Sequence, residues 1–534
     1  MLLIQPPVED YYTTSIRTYP LQLLYLATKV KDICDVSVID FRTKKKPRIL
    51  TDNPFPELDV YYNAHTYTSL SLFSRYYRFG AGKQEIEQTI SGEKPDVVAI
   101  SALFSPYSSE ALEIARIAKS ISSSIITVIG GTHATVFPEH TLKGDHVDYA
   151  IRGEGETPFF QLISSLRADR REAPTKIPGL SFRRKDGTTH LSQVHFEEDI
   201  DVMPDRAFLR TEDYQIHKKP YTFFLTSRGC PFRCTFCGRP PVPYRKRTLR
   251  SIERELEECL TLNIRAIDFE DDMLTFDVSL FNRVLDLLEG KNLTVSAMNG
   301  IYAETLTEDI LNRMLSAGFG RLNFSLVDIN PSVVMGQKRH LPARFLQLLP
   351  YIESSPFLTE AHFIIGLPGQ EPKNVMETLI FLMGKRLLPG PSMFYLAPGS
   401  PFFDKAGAND QGPDMRSLRS SYMMEVNPLF PRDAIYTFMK LTRFINFVKH
   451  CLDREPSLRK LRDLPDFVTE KKAGVDKEIL RSLLFKKRLL RYDVREGILV
   501  DEPQDGELLD LFFRMAQGYR IKGFKTGNSL LVDT

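Results

Sequence analysis

Short, continuously apolar runs alternate with helical patterns through most of the chain, and they do so in two separate series. Continuous apolar runs are typical of parallel strands that are buried on both faces. The helices between them supply the crossovers that parallel strands require. The chain is therefore predicted to be an α/β protein with two parallel-stranded domains in succession.

The first series predicts a doubly wound, Rossmann-like domain over residues 1–173. Its predicted strands and helices are Leu2–Gln5, Leu21–Lys31, Val36–Asp40, Asp96–Ser101, Glu110–Ser120 and Ile125–Ile129. Ligands of such sheets bind beyond the carboxyl ends of the strands. The sequence places Ser101, the pair Gly130-Gly131 and the run Arg152–Glu156 at those ends. A polar segment over residues 174–220 follows, and its Arg184–Gly187 turn predicts a linker or a small hairpin.

The second series predicts a partial (β/α)6 barrel of the TIM type over residues 221–410. Its six predicted strands are Phe223–Thr226, Ala266–Glu270, Leu293–Ala297, Arg321–Leu326, Ala361–Ile365 and Met393–Leu396. Its five predicted helices are Ile252–Leu262, Val278–Leu288, Thr307–Ala317, Ala343–Glu353 and Glu371–Gly384. The active site of such a barrel lies at the carboxyl ends of the strands. Residues 411–534 are predicted to be mainly helical, with an amphipathic helix over Ala434–Leu452.

Composition narrows the functional classes. The chain has 534 residues, 70 Lys and Arg against 68 Asp and Glu, and six cysteines. A net charge of +2 gives no global attraction to nucleic acid or to an anionic membrane, so neither is expected as a partner. We expect no membrane span, because no apolar run approaches about 18 residues, and the amino-terminal sequence does not resemble a signal peptide. Six cysteines are too few for a secreted disulfide framework, which favours a cytoplasmic protein.

Three of the cysteines, Cys230, Cys234 and Cys237, have the spacing C-x3-C-x2-C directly after the first barrel strand. Three thiolates on one loop suit a [4Fe-4S] cluster and leave one iron open to bind another molecule. The alternatives are a zinc site, for which His217 is the nearest further ligand, and a chance spacing. We expect the three cysteines to be cluster ligands and therefore catalytic residues.

The cysteine loop closely resembles that of the radical S-adenosylmethionine enzymes, in which the open iron chelates the methionyl group. Phe236 matches the position that the family packs beside the adenine. Further similar segments are Phe269–Met273, Phe363–Glu371 and Leu396–Pro401. The fourth strand departs from the family pattern, because Ser325-Leu-Val-Asp328 stands where relatives often have Gly-x-Glu-Ser. The resemblance implies the following S-adenosylmethionine contacts: Phe236, Glu270, Asp271, Asp272, Ser325, Asp328, Gly366, Pro368 and Ala397.

Segments of the first domain resemble the cobalamin-binding domain that precedes the barrel in one branch of this family. The implied cobalamin contacts are Pro6, Ser101, Gly130, Gly131, His133, Gly153, Glu154, Gly155 and Glu156. The chain lacks the Asp-x-His-x-x-Gly motif that supplies a histidine to cobalt, so we expect His133 to orient its loop or touch the cofactor tail. The alternative is a plain doubly wound domain that binds a nucleotide or nothing.

The resemblance implies a methyltransferase that methylates an unactivated carbon of a small molecule or natural product through methylcobalamin and a 5′-deoxyadenosyl radical. Its implied cofactors are a [4Fe-4S] cluster, S-adenosylmethionine and cobalamin, with electrons from a flavodoxin or ferredoxin under anaerobic conditions. Two other functions stay open. One is a cyclase, rearrangement or oxidation enzyme with the same cofactors, and the other is a noncatalytic iron–sulfur or zinc protein that senses cobalamin.

Four polar side chains on or beside barrel strands are candidate substrate contacts: Asn299, Asn323, His362 and Tyr395. A structural hydrogen-bonding role is the alternative for each of them. Basic residues also follow the cysteine loop, namely Arg239, Arg245, Lys246, Arg247 and Arg250. They suit contact with an anionic substrate or a reductase, although a solvated face is the usual explanation.

Overall fold

The computed structural model describes residues 1–12, 18–43, 46–168, 174–238, 242–406, 414–468 and 473–534. Two parallel sheets follow one another along the chain, which confirms the predicted α/β class with a doubly wound domain before a partial barrel. The predicted domain boundaries after residues 173 and 410 lie outside the described ranges.

The amino-terminal sheet has seven strands. The five strands from Tyr149–Ile151 across to the edge strand Ser37–Asp40 run parallel. In spatial order all seven are Thr189–His190, Leu180–Arg183, Tyr149–Ile151, Ile126–Gly130, Val97–Ser101, Leu2–Gln5 and Ser37–Asp40. The helices of this part of the chain are Leu21–Val30, Lys83–Glu93, Ser108–Ile121, Thr132–Val136, Pro138–Thr141 and Glu156–Arg167. Two separate apolar clusters cover the two faces of the sheet, which explains why its central strands read as continuously apolar.

The hairpin predicted at Arg184–Gly187 lies at the edge of this sheet. Its strands, Leu180–Arg183 and Thr189–His190, pair antiparallel and continue the sheet from Tyr149–Ile151. The hairpin covers a strand edge that would otherwise present unpaired backbone groups. Part of the segment predicted as a linker therefore belongs to the first sheet.

Residues 46–81 add small strands outside the main sheet. Val8–Asp10, Tyr77–Phe79 and Arg48–Ile49 form one antiparallel sheet. Thr66–Tyr67 pairs with Leu490–Asp493, which itself pairs with Ile498–Asp501 near the end of the chain. This insertion therefore joins the amino-terminal domain to the carboxyl-terminal region.

Six parallel strands form the partial barrel. In order they are Lys219–Phe224, Ala266–Phe269, Thr294–Ser296, Arg321–Val327, Leu358–Ile365 and Leu388–Met393. Single parallel bridges between Val295 and Phe319 and between Ile301 and Phe324 join the third strand to the fourth. The barrel helices are Leu249–Thr261, Val278–Leu288, Glu308–Ser316, Pro331–Gly336, Ala343–Ser354 and Pro372–Met383. A two-residue strand, Gln215–Ile216, pairs beside the first barrel strand.

The sixth barrel strand lies earlier than the sequence predicts. It spans Leu388–Met393, whereas the apolar pattern predicted Met393–Leu396. The strand contains Pro389 and Pro391. In a sequence these prolines indicate a loop, because proline has no N–H to donate to the backbone hydrogen bonds of a sheet. Proline is tolerated here because, among the residues that the structure describes, the strand pairs only with Leu358–Ile365 and is therefore an edge strand.

The carboxyl-terminal region is mainly helical, as predicted, and also contains short strands. Its long helices are Arg432–Arg454, Ala473–Lys486 and Gly506–Ala516, a short helix Pro401–Lys405 precedes them, and its last strand pair is Arg520–Lys522 with Ser529–Leu531. The predicted amphipathic helix Ala434–Leu452 lies within the first of these helices, and its apolar face shares one core with the barrel. In the described part of the chain, no helix has the length and apolar character that crossing a membrane requires.

Candidate active site

The three clustered cysteines lie in one loop at the carboxyl end of the first barrel strand. The stem of this loop is a short antiparallel pair in which Ser227–Arg228 faces Arg245–Lys246. Cys234 is buried, whereas Cys230 and Cys237 are half-buried. The loop therefore presents three thiols at the end of the barrel where the sequence predicts the active site.

The thiols fit an iron–sulfur cluster better than a single metal ion. Among the residues that the structure describes, no three His, Cys, Asp or Glu side chains converge on one ion. His217 lies in the turn before the amino end of the first barrel strand, and a six-residue strand places it about 20 Å from the cysteine loop. This separation does not favour His217 as a fourth ligand beside the three cysteines, so the zinc alternative has less support than the cluster. A [4Fe-4S] cluster suits separated thiols, because each thiolate binds a different iron.

The end of the cysteine loop packs tightly between the barrel and the first domain. A Cβ on Gly238 would lie 2.2 Å from the carbonyl oxygen of Pro398, in the loop after the sixth strand. A Cβ on Gly399 would lie 3.2 Å from the Gly238 carbonyl oxygen and 3.4 Å from Val136 of the first domain. The cysteine loop is thus in contact with both halves of the molecule.

Arg339 is a residue of this site that sequence reasoning missed. Its Nη1 lies 3.8 Å from Cys234 Sγ, and its Nη2 donates to the carbonyl oxygen of Ser325 at 2.9 Å. The same segment holds the cysteine loop through Gln337, whose carbonyl oxygen accepts from the backbone N–H of Thr235 at 3.2 Å. Nothing in the local sequence marks Arg339 except its charge, since the contact joins residues 105 positions apart.

The three acidic residues after the second barrel strand have different environments. Asp271 is 1% exposed and accepts hydrogen bonds from Thr226 Oγ1 at 2.7 Å and Ser227 Oγ at 2.6 Å. Burial raises the pKa of Asp271 to about 6, against the lowering effect of those hydrogen bonds. Asp271 thus anchors the start of the cysteine loop, while Glu270 and Asp272 are half-buried. These two stay the candidates for contact with the methionyl ammonium group.

An apolar cluster surrounds Phe236. Its buried members come from the ends of strands four to six and the short helix between them: Val327, Val333, Leu367 and Phe394. Partly exposed residues pack against these four: Phe236, Ile364, Leu396, Phe402 and Val426. The cluster brings three of the segments with family resemblance together, which is the arrangement needed to cover one face of an adenine ring.

The Gly-rich segment after the fifth strand is fixed by a buried glutamine that the sequence analysis did not single out. Gln370 Oε1 accepts from the backbone N–H groups of Gly366 at 2.9 Å and Leu367 at 3.1 Å. Gly366 has φ of +88°, a conformation that favours glycine. The Pro368 carbonyl oxygen accepts from Gln337 Nε2 at 3.2 Å, so this segment is tied to the one that holds Arg339. Ala397 lies beside Gly238, at 3.3 Å from the position of an added Cβ.

The fourth strand contains a register shift between Ser325 and Val327. Val327 has φ of +70°, which is strained for a β-branched residue, and its side chain is buried in the apolar cluster. Asp328 is fully buried and accepts from Gln370 Nε2 at 2.7 Å and from Thr378 Oγ1 at 2.9 Å. Asp328 therefore braces the Gly-rich segment, whereas Ser325 is exposed and stays the candidate for contact with S-adenosylmethionine.

The carboxyl edge of the first sheet offers room at Ser101 and Gly130, which are register partners on neighbouring strands. Both are half-buried, and an added Cβ on Gly130 would meet no atom closer than 3.9 Å. This edge fits a bulky ligand, since two backbones can be approached closely there. Gly131 and Gly153 have a different reason to be glycine, because added Cβ atoms would lie 2.7 Å and 2.0 Å from neighbouring carbonyl oxygens of the protein itself.

Glu154 and Glu156 bind the barrel rather than facing open space. Arg245 donates to both carboxylate oxygens of Glu154 at 2.7 and 2.9 Å. Arg228 donates to Glu156 Oε1 at 2.7 Å. Both arginines belong to the stem of the cysteine loop, so these carboxylates dock the first domain on it. Both carboxylates are engaged in ion pairs with the barrel, and a contact of these two residues with cobalamin stays a prediction.

The other predicted cobalamin residues lie inside the first domain. Pro6 is buried, and its carbonyl oxygen accepts from Arg42 Nε at 2.9 Å. An added Cβ on Gly155 would lie 3.3 Å from Leu26. His133 is fully buried, and its Nε2 lies 3.0 Å from Nδ1 of His140. Burial and the neighbouring His140 lower the pKa of His133 to about 3, so it is a neutral residue that holds its loop.

The four candidate substrate residues divide into two groups. Asn299 donates to Glu270 Oε2 at 2.9 Å, and Asn323 is buried, with its Nδ2 3.0 Å from the Met298 sulfur. These two contacts favour the structural alternative. His362 and Tyr395 are partly exposed on the fifth strand and after the sixth strand.

Tyr12, a neighbour of Tyr395, is a second residue that sequence reasoning missed. Burial raises the pKa of Tyr395, and the neighbouring Tyr12 and Cys237 contribute to the shift. Tyr12 comes from the first domain. Its ring packs against Phe73, and its hydroxyl lies 3.3 Å from Ser420 Oγ of the carboxyl-terminal region. Tyr395 therefore lies near both the third cysteine and a tyrosine of the first domain.

Comparisons with known proteins match the same two parts of the chain, the doubly wound sheet and the partial barrel. Residues 74–163 match the B12 binding domain, and residues 224–382 match the radical SAM superfamily. An uncharacterized methyltransferase of Pyrococcus horikoshii is 26% identical over 427 residues, which cover 77% of this chain and 83% of the relative. An anaerobic magnesium-protoporphyrin IX monomethyl ester cyclase of Rubrivivax gelatinosus is 25% identical over 325 residues, 55% of each chain.

A solved structure shows the same fold over most of the chain. The cobalamin-dependent S-adenosylmethionine radical enzyme OxsB, solved with aqua-cobalamin and S-adenosylmethionine bound, aligns with a TM-score of 0.58 at 14% identity, over 90% of this chain and 72% of OxsB. The fold and the two domain matches define a radical S-adenosylmethionine enzyme. More particularly, a B12 binding domain precedes the radical SAM domain in this chain, which is the domain order of the cobalamin-dependent radical S-adenosylmethionine enzymes.

Proposed function

We propose that this chain transfers a methyl group to an unactivated carbon of a small-molecule substrate. The observation that carries the proposal is that one loop, with three thiols, contacts both domains. Its stem is ion-paired to Glu154 and Glu156 of the first domain, and its end lies against the loop after the sixth barrel strand. Two cofactor sites that share one loop can serve one substrate placed between them.

The chain's own residues bind and orient the reacting groups. When bound, the cluster supplies the electron that cleaves S-adenosylmethionine, and the cobalamin supplies a carrier for the methyl group. Cys230, Cys234 and Cys237 hold the cluster. Glu270 and Asp272 accept hydrogen bonds from the methionyl ammonium group in this proposal.

Aromatic side chains pack beside the cysteine loop and shield part of it from water. Phe232 packs between Tyr302 and His340, with ring centroids 5.2 and 5.0 Å away, and Phe276 lies on another side at 6.2 Å. Excluding water protects a radical from quenching and strengthens polar contacts to the bound cofactor. A flavodoxin or ferredoxin reductant and a cytoplasmic location complete the proposal, since such chemistry needs low-potential electrons and little oxygen.

The experiment is anaerobic reconstitution of the full chain with iron, sulfide and cobalamin, followed by incubation with S-adenosylmethionine, reductant and candidate substrates. We expect S-adenosylhomocysteine and 5′-deoxyadenosine to form in step with a methylated product. A Cys230→Ala/Cys234→Ala/Cys237→Ala variant should bind no cluster and make neither product. The matched control, Cys34→Ala/Cys259→Ala/Cys451→Ala, should keep both activities, because those cysteines lie outside the loop.

Other outcomes separate the remaining functions. The cyclase relative supports ring closure as a second candidate, and 5′-deoxyadenosine without S-adenosylhomocysteine would favour it over methyl transfer. A chain that binds cobalamin and a metal but never cleaves S-adenosylmethionine would contradict both enzyme proposals and favour a sensor.

A further inference from the structure

The basic residues around the cysteine loop fall into two groups that differ in their partners. Residues 226–252 and 331–352, which flank or contact the loop, contain no Asp or Glu. Four of the basic side chains in the first segment have carboxylate partners elsewhere in the chain: Arg228 with Glu156, Arg245 with Glu154, Lys246 with Asp277 and Arg247 with Glu255. Their charges are explained by the packing of the protein itself.

Arg233 and Lys338 belong to the second group. Both are exposed, and neither makes an ion pair with any residue in the described ranges. Arg339, next to Lys338, reaches only Cys234 Sγ and the Ser325 carbonyl oxygen. One acidic group, Glu304, acts on the same tyrosine, Tyr302, as Arg339 does, and it stands against the three cations Arg233, Lys338 and Arg339. The net charge of this side of the loop is therefore positive.

The two segments form one continuous surface. The backbone N–H of Thr235 donates to the Gln337 carbonyl oxygen at 3.2 Å, and the rings of Phe232 and His340 lie 5.0 Å apart. Two exposed apolar side chains flank the cations: Met335 is 59% exposed and Leu341 is 39% exposed. We name this surface the cluster-side patch: Arg233, Met335, Lys338, Arg339, His340 and Leu341.

The patch lies one side chain away from Cys234, the most buried of the three cysteines. Cys234 is only 7% exposed, yet the half-buried guanidinium of Arg339 lies 3.8 Å from its sulfur. The loop is covered elsewhere by Pro398 at Gly238 and by the ion pairs of its stem. An electron that reaches Cys234 from the patch crosses one side chain.

We propose that the cluster-side patch is the docking surface for an acidic one-electron carrier protein that reduces the cluster. This inference rests on the proposed function. The carrier loses one electron and the cluster gains it, with no bond made or broken. Exposed cations without internal partners suit an acidic surface, and a few apolar contacts at their margin suit the small interfaces of electron-transfer encounters.

The test uses the reconstituted full chain and a reduced bacterial flavodoxin as the probe. The variant is Arg233→Glu/Lys338→Glu. Lys338 has φ of +52°, so the matched control is Lys94→Glu, an exposed lysine with φ of +47°, combined with Lys185→Glu in an exposed turn. Cluster reduction is followed by electron paramagnetic resonance, and flavodoxin binding by titration calorimetry.

We expect the variant to bind flavodoxin more weakly and to be reduced by it about tenfold more slowly at low salt, because reversal of two charges removes the electrostatic steering. Higher salt should slow wild-type reduction in the same way. Titanium(III) citrate should reduce both proteins equally, and iron content should match. Unchanged flavodoxin kinetics, or an equal loss in the control variant, would overturn the docking proposal.

Failure of the proposed function has a different signature. A wild-type cluster that is fully reduced by titanium(III) citrate but never cleaves S-adenosylmethionine contradicts the enzyme function and leaves the docking result intact. Weaker S-adenosylmethionine binding in the variant with either reductant would instead assign these cations to the cofactor and overturn the docking proposal. If Arg233→Glu alone lowers iron content, Lys338→Glu alone decides the test.

Discussion

Arg228 donates from Nη2 to Glu156 Oε1 at 2.7 Å, and this ion pair joins the stem of the cysteine loop to the first domain. Both side chains are largely buried, at 13% and 6% exposure, and the guanidinium also lies over the Tyr25 ring at 4.8 Å. The two cofactor domains are thus joined at the residue two positions before the first cluster cysteine. A change at Glu156 should therefore affect both stability and the cluster.

Glu156→Gln leaves the buried guanidinium of Arg228 with only the more distant Glu154, at 3.5 Å. We expect it to lower the free energy of unfolding by about 2–4 kcal/mol, since breaking a buried pair strands a charge. Urea denaturation measures the change. The control is Glu212→Gln in the exposed pair with Arg210, which should leave the free energy of unfolding nearly unchanged. An equal effect at both positions would mean that the domain junction has no special strength.

The acidic residues after the second strand should separate in function. Asp271→Ala removes the acceptor of buried donors on Thr226 and Ser227, so we expect a disordered loop start and a lower iron content after reconstitution. Glu270→Gln should keep its iron and weaken S-adenosylmethionine binding by about tenfold, the value of one charge-assisted hydrogen bond. Iron assay and equilibrium binding make the two measurements.

The control for this pair is Asp309→Ala, on an exposed helix of the barrel. It should change neither quantity. Loss of iron in Glu270→Gln together with normal iron in Asp271→Ala would reverse the assignment that their environments support.

The sequence predicts what depends on local patterns. Continuous apolar runs mark the two parallel sheets, and the spacing of Cys230, Cys234 and Cys237 marks the loop after the first barrel strand, because both signals lie within short stretches of chain. The sixth barrel strand is misplaced since its prolines are tolerated only at a sheet edge, and the edge is a property of the assembled fold.

Roles that depend on distant partners could not be predicted. Glu154 and Glu156 resemble cofactor contacts by their place at a strand end, but the arginines that bind them are 91 and 72 residues away. Asp271 and Glu270 are neighbours in sequence, yet Asp271 is buried against the stem of the cysteine loop and Glu270 is half-buried. Which side of the backbone each one faces is set by the packing of the first strand against the second.

Lys449 fastens the long carboxyl-terminal helix to the barrel. Its fully buried ammonium group donates to the carbonyl oxygens of Met383, Lys385 and Lys522 at 2.8, 2.7 and 3.0 Å. Lys449→Met should lower the free energy of unfolding by about 2–4 kcal/mol, because it leaves buried acceptors unpaired. Thermal denaturation measures this.

The control for Lys449 is Lys373→Met, whose side chain is 67% exposed in a pair with Glu377. It should cost less than about 0.5 kcal/mol. If both variants unfold alike, the carbonyl oxygens around Lys449 find other donors and the helix is held by its apolar face alone.

His133 should make the protein sensitive to acid. Burial and His140 lower the pKa of His133 to about 3, against an ordinary value of 6.5 in the unfolded chain. Above pH 6.5 both states are neutral at this site, and the contribution of the buried neutral ring to stability is complete. As the pH falls toward 3, only the unfolded state gains the proton, so stability is lost, by about 2 kcal/mol at pH 5.

Urea denaturation of the cofactor-free chain at a series of pH values measures this loss. His133→Gln should have lower stability at neutral pH and a flatter decline below pH 6.5, because no buried group remains to be protonated at that position. His450→Gln, at an exposed position on the long helix, should keep the wild-type decline. A His133→Gln variant that loses stability with the wild-type slope between pH 7 and pH 5 would show that another buried group carries the acid sensitivity.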